Sequence, residues 1–246
     1  MPPTGVVVFA EKASPPVPTR AKQSYFYFLM SLVNAGVVFY GFSQTIDKQL
    51  IHANPMPPWI LPLHAAVFSA WVLFFILQSA LVRIGSVKVH RTLGWLGAEL
   101  AVMLMVLGYA TAISMDKFHF RQSQNPSDAA FLIIQLLDLG SFFIPFVLAI
   151  WWRKRPEYHR RLMLIATLAL SDAAFRRFPF VPVRFAPVGV DVLILFGVFR
   201  DYLVEGEVHK VYHKALPLLI AWQVFAVVTY THSLQWWVHI AETLVQ

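Results

Sequence analysis

The sequence predicts an all-α, polytopic membrane protein: a helical bundle of seven transmembrane helices with the N-terminus inside and the C-terminus outside. Three observations carry that expectation. Of 246 residues, 58% are hydrophobic and 13% charged, about half the ~25% charge of a soluble domain, so there is too little polar surface to face water. Seven apolar runs each approach the ~20 residues that cross a ~30 Å hydrocarbon core. The basic residues, which give a net charge of +7, sit in short clusters between those runs, as membrane insertion requires. That placement argues for a lipid bilayer as partner and against nucleic acid.

Residues 1–24 read as a disordered cytoplasmic tail carrying Pro2, Pro3, Pro15, Pro16 and Pro18. Its apolar stretch, 6–10, is too short for a signal-peptide core and has no basic region before it. Residues 25–246 read as a single transmembrane domain. Its apolar runs are 25–42, 59–82, 92–115, 129–152, 162–175, 183–199 and 215–238. The fifth is short unless His159 to Arg161 begin its helix, and the sixth is interrupted by Pro187 and carries Asp191.

Charge sets the orientation. With the N-terminus inside, fourteen of the twenty Lys and Arg residues fall on that side: Lys12, Arg20, Lys22, Arg83, Lys88, Arg91, Arg153, Lys154, Arg155, Arg160, Arg161, Arg200, Lys210 and Lys214. The other six are Lys48, Lys117, Arg121, Arg176, Arg177 and Arg184. Cytoplasmic loops collect positive charge, and Trp59, Trp236 and Trp237 then mark the outer interface, with Trp95, Trp151 and Trp152 at the inner one. The location implied is a bacterial inner membrane.

Cysteine is absent, which excludes disulfides, iron–sulfur clusters, thiolate zinc and a thiol nucleophile. Any metal or cofactor is left to histidine, carboxylate, Met, Tyr or backbone. Most histidines fall at span ends, where an apolar body with a polar tip suits the headgroup zone. Two stand out. His90-Arg91-Thr92-Leu93 opens the third span and His159-Arg160-Arg161-Leu162 the fifth, each after a basic hairpin and each starting a helix outward. If the second and third spans repeat as the fourth and fifth, a pseudo-twofold along the membrane normal places the two histidines at one depth. Two facing imidazoles at one level suit axial ligation of haem iron or half of a metal site. Gly94, Gly97, Ala101 and Gly108 follow His90 at helical spacing, either for close helix approach or to make room for a flat ring. Arg91 and Arg160 then become charge partners for propionates or lipid phosphates. The competing expectation is that each His-Arg pair only anchors its helix to headgroups.

His64 is a second candidate, ~7 Å inside the second span at 1.5 Å per residue, with Phe68, Trp71, Phe75 and Gln78 continuing its face. That stripe suits a ring pocket or ordinary helix packing. His232 matches it in depth, so the two together are the expected metal ligands of an outer site. Glu99 and Asp138 both fall ~13.5 Å deep, near the midplane, where charge is costly. They are expected to bond each other or Gln135, as a proton relay or a structural hydrogen bond. Asp172 is expected to pair locally with Arg176 at i,i+4, and Asp191 with Arg184 or Arg177. His209 and His213 have one-face spacing but lack the glutamate of a His-Glu-x-x-His motif.

Taken together, His64-Ala65-Ala66-Val67-Phe68-Ser69-Ala70-Trp71, Leu77-Gln78, His90-Arg91-Thr92-Leu93-Gly94-Trp95 and the stretch from Arg155-Pro156-Glu157-Tyr158-His159 through Arg160-Arg161-Leu162-Met163 to Thr167 resemble a widespread family of small bacterial multi-span membrane proteins without a settled function. The likeness runs from about Trp59 to Pro179. A more distant likeness is to the transmembrane cytochromes b of the ascorbate-linked type, whose four-helix core holds two haems between histidines. That resemblance implies His90 and His159 as the inner ligands and His64 as an outer one. A shift of 69 residues, the interval from His90 to His159, places Ile133 opposite His64, so the fourth span lacks the outer histidine.

The sequence therefore points to a membrane protein that binds haem b, or another His-ligated metal, for electron transfer with a quinone or other redox partner. One rival is a metal-dependent intramembrane hydrolase resembling the seven-helix ceramidase and adiponectin-receptor group, with zinc on His64, His232 and Asp138. The other is a non-catalytic lipid-binding or accessory subunit with a partner in a membrane complex.

Overall fold

The structure, a computed structural model, describes residues 20–123 and 129–245, with side chains from Tyr25 onward. All regular structure among them is helical. In chain order it comprises α1 (Arg20–Ser43), a π-helical turn (Asp47–Ile51), α2 (Ile60–Arg83), α3 (Val87–Ser123), α4 (Leu132–Trp151), α5 (Pro156–Ala169), α6 (Asp172–Phe175), a 3-10 turn (Val183–Phe185), α7 (Ala186–Glu205), α8 (Lys210–Thr231) and α9 (Gln235–Val245). Most of the expected tail, residues 1–19, lies outside the described residues, but its last five belong to α1, which starts at Arg20.

Among the described residues, five helices are long and apolar enough to cross a membrane: α1 from Tyr25, α2, α3, α4 and α8. The two runs that fall short, the fifth and sixth, do so for a reason visible in the packing. α5 lies against α1, α4, α7 and α8, and from Leu162 to Ala169 every residue but Met163 is buried. A helix sheathed by protein has no need of a lipid-facing surface, so it tolerates polar ends. It also starts at Pro156, a residue suited to the first turn, so His159 to Arg161 do belong to it. α7 is a 20-residue helix carrying Asp191, Arg200, Asp201 and Glu205. Pro187 does not interrupt it; Pro occupies its first turn, where the missing N–H costs nothing.

Two further boundaries differ from expectation. α3 is 37 residues long, ~55 Å at 1.5 Å per residue, and so projects well beyond the ~30 Å core. The seventh run is not one helix: α8 ends at Thr231, Ser233 turns with a positive φ of 44°, and α9 folds back against α3 and α4. Trp237 on α9 is buried and donates its indole N–H to the Ala130 carbonyl at 3.0 Å, which anchors the turn-back.

The small residues of α3 serve helix packing. A side chain at Gly97 would overlap the Phe74 ring of α2, and one at Gly108 would overlap Leu139 of α4. The His64 stripe on α2 is likewise a packing face: Trp71 meets Phe142 edge-on at 5.0 Å and Phe146 at 5.7 Å.

The tightest helix approach joins α1 to α6. A Cβ on Gly41 would run into the backbone of Ala174, which no rotamer change relieves. Gly41→Ala is therefore expected to destabilise the fold by about 1–3 kcal/mol, measured as a lowered unfolding midpoint in mild detergent. Gly36→Ala on the same helix, with nothing near its Cβ, should leave the midpoint unchanged or slightly raised.

Candidate functional site

The helical hairpins α2–α3 and α4–α5 converge where α3 and α5 begin. There the His90 and His159 rings stand 6.2 Å apart between centroids, inclined at 74°. His159 Nδ1 donates to the Ala149 carbonyl at 2.9 Å. This fixes the tautomer and leaves Nε2 unprotonated, the arrangement by which backbone carbonyls orient metal-binding imidazoles. His90 Nδ1 and both side-chain amide atoms of Gln78 are buried without a hydrogen-bond partner, and the Gln78 backbone lies against the His90 ring.

The separation discriminates between geometries. Imidazole nitrogens bind metals at about 2 Å, so rings on opposite sides of one ion have centroids ~6 Å apart and rings at a tetrahedral angle ~5 Å. The observed centroid spacing of 6.2 Å is nearer the first value than the second. One turn along α3, nothing lies within 4 Å of the position a Cβ on Gly94 would take, whereas Gly97, deeper, is already filled by Phe74. His90 and His159 would be the residues to hold a flat group here, with the space beside Gly94 left open. They do not fit one placed deeper in the bundle.

The two arginines expected to flank such a group differ. Arg91 is exposed. Arg160 is engaged with Glu205 at 3.0 Å and lies over the Tyr27 ring. Its neighbour Arg161, unremarked in the sequence, is the more consequential residue. Its guanidinium grips Asp201 through two bonds, 2.6 Å and 2.9 Å, and reaches Glu205 at 2.6 Å, with Arg161 and Asp201 side chains both fully buried. Arg200 closes the cluster against Asp201 and Glu205. Burial pushes the Asp201 carboxyl up, but hydrogen bonds from Arg161 and Arg200 outweigh it and hold it below the usual carboxylate range. Glu205 is lowered by the same two arginines against the same opposing burial. One signal for Arg161 was present: on a helix it shares a face with Leu164, Ile165 and Leu168.

The remaining candidates lie apart from this site. Glu99 is exposed on α3. Asp138 bonds neither Glu99 nor Gln135: it pairs with Arg176 at 2.6 Å, which also holds Asp172 in the local ion pair. Gln135 donates to Asp116 at 2.8 Å. Asp191 takes its hydrogen bonds from Gln223 at 3.2 Å instead of from an arginine, while Arg177 bonds Thr45 at 3.1 Å and stacks on Phe42. His64 packs on Phe68 at 4.0 Å between ring centroids, and its Nδ1 is buried without a partner. His232 is exposed in the turn after α8. His209 caps the start of α8 by accepting from the Val211 N–H. Among the described residues, no three His, Asp or Glu side chains are grouped to hold a metal ion.

No family model, no curated protein and no solved structure matches the chain. Among the described residues the protein is all-helical, with five helices long and apolar enough to span a membrane.

Proposed function

We propose that the protein is a seven-span electron-transfer protein of a bacterial cytoplasmic membrane, N-terminus inside and C-terminus outside, that holds haem b between His90 and His159. The observation that supports the reading is the 6.2 Å separation of the two ring centres, nearer the spacing of opposed ligands than that of a tetrahedral pair. Bound there, haem b supplies a one-electron centre. The chain's own contribution is positional. α3 and α5 set the imidazoles in opposition, Ala149 fixes the ring of His159, and Gly94 leaves one wall open. Arg91, exposed beside His90, is the arginine left to meet a propionate. The electron partner that fits this setting is a membrane quinone or a neighbouring redox protein.

Reduced-minus-oxidised visible spectra of the protein, purified in mild detergent after haem-supplemented expression, test the reading. Haem b bands at about one haem per chain are expected. Stoichiometric zinc without haem would instead favour a hydrolase using His64 and His232, although Asp138, the third ligand of that reading, is already held by Arg176.

The topology has its own test, because the chain lacks cysteine. Single substitutions Lys154→Cys and Lys210→Cys should react with an impermeant maleimide only after cells are opened, whereas Lys48→Cys and Lys117→Cys should react in intact cells. The reverse pattern would overturn the orientation.

One observation favours a further partner in a membrane complex: Glu99 is exposed on the outside of α3 at a depth of ~13.5 Å past His90, where a carboxylate in lipid is costly. A basic or amide-bearing helix covering it would relieve that cost. If so, Glu99→Leu should dissociate the partner on native electrophoresis of the membrane extract.

A further inference from the structure

Four helices, α1, α5, α7 and α8, meet around the charge cluster next to the histidine pair, and the cluster holds more donors than acceptors. Arg160, Arg161 and Arg200 face Asp201 and Glu205 as their bonded carboxylates, leaving one positive charge in excess. Arg161 is satisfied: Nε and Nη2 bond the carboxylates, and Nη1 donates to the Glu157 carbonyl at 2.7 Å. Arg200 is not. Its Nη1 bonds Asp201 and Glu205 at 2.8 Å and 2.6 Å, but its Nε and Nη2 are buried without a partner on a side chain only 6% exposed. Arg160 Nε and the hydroxyls of Tyr27 and Tyr212 are buried and partnerless as well.

The two arginines and Tyr27 lie together. The guanidinium carbons of Arg160 and Arg200 lie 5.6 Å and 5.9 Å from the centre of the Tyr27 ring. A guanidinium can only donate, so the missing partner must accept, and the excess charge requires an anion. Two guanidiniums and a hydroxyl gathered at one ring suit the several oxygens of a phosphate. Arg160 and Glu205 are 29% and 26% exposed, so the cluster opens outward at this end of the bundle. Glu205 does not repel the ligand strongly, because all three arginines bond it.

We propose that Arg160, Arg200 and Tyr27 form a binding site for a phosphate-bearing anion at the cytoplasmic end of the bundle. Two sources share this chemistry: the headgroup of an anionic phospholipid, which lies at this level of the membrane, and a free phosphate. The site is independent of haem and is present whether or not His90 and His159 hold one.

The experiment has two arms. In the first, the full chain is reconstituted with mixed phosphatidylglycerol and phosphatidylcholine, extracted gently, and examined by native mass spectrometry for retained lipid. In the second, delipidated protein is titrated with inorganic phosphate and read by phosphorus NMR line broadening. Selective retention of one phosphatidylglycerol identifies a lipid site; saturable phosphate broadening without lipid selectivity identifies a soluble ligand. In either case Tyr27→Phe, which keeps the ring beneath both guanidiniums and removes only the hydroxyl, should weaken binding about tenfold, as expected for one charge-assisted hydrogen bond. Arg160→Gln should weaken it at least as much, and neither change should lower the unfolding midpoint in the absence of ligand. The proposal is overturned if the wild-type chain neither prefers phosphatidylglycerol nor binds phosphate, or if both variants bind as the wild type does.

Discussion

Asp201→Ala is expected to cost about 3–5 kcal/mol of stability, the loss typical when one partner of a buried ion pair is removed. The Arg161 guanidinium sits with no exposed surface against an equally buried Asp201. Without that carboxylate, two of its N–H groups lose their acceptor, and Glu205, partly exposed, remains the only acid against three arginines. Arg161→Ala should cost less than Asp201→Ala, because Arg200 still donates to Asp201 at 2.8 Å and only one carboxylate oxygen loses its donor. Replacing both at once with apolar residues of similar volume (Arg161→Met with Asp201→Leu) should cost far less than either single change, since a buried pair contributes little net stability over a hydrophobic one. The measurement is the unfolding midpoint in detergent for the wild type, the two single variants and the double variant. Equal losses for the double and the single variants would contradict the account. The pH dependence has a definite sign. Asp201 and Glu205 are held below their ordinary values, so their contribution is complete above the normal carboxylate range. It is lost as the pH falls through their lowered values, and Asp201→Ala should remove most of this acid sensitivity.

Parts of this arrangement are legible in the sequence. His90 and His159 each follow a basic hairpin and open a helix with His-Arg, and two helices starting on the same side at the same depth have a reason to meet. The partners of Asp138 and Arg161 were not legible for the same kind of reason. Depth along a helix follows from counting residues, but the direction a residue faces around the bundle does not. Glu99 and Asp138 share a depth, yet Glu99 points outward while Asp138 finds Arg176, which lies 38 residues further along the chain. Arg161 and Asp201 are 40 residues apart, joined by no periodicity. The end of α8 is hidden differently: His232, Ser233 and Leu234 include neither Gly nor Pro, and only the left-handed backbone of Ser233 turns the chain back. α5 was hard to read as a span because its polar ends are covered by protein, a fact of packing that local hydropathy does not carry.

The second large effect belongs to the histidine pair. His159→Ala removes an imidazole whose orientation the Ala149 carbonyl sets, and His90→Ala removes its neighbour; either change would leave one imidazole to hold the proposed haem. Loss of one of two opposed ligands should drop haem occupancy several-fold or more, while neither residue makes an ion pair whose loss would unfold the chain. His64→Ala and His232→Ala serve as internal controls, since His64 packs on Phe68 and His232 is exposed beyond α8. The most direct measurement is therefore haem content per chain, by pyridine haemochrome and iron analysis, across the wild type and these four variants purified side by side. The account predicts about one haem in the wild type and in the His64 and His232 variants, and little or none in the His90 and His159 variants. A wild type without haem, or haem retained equally in all five proteins, would contradict it.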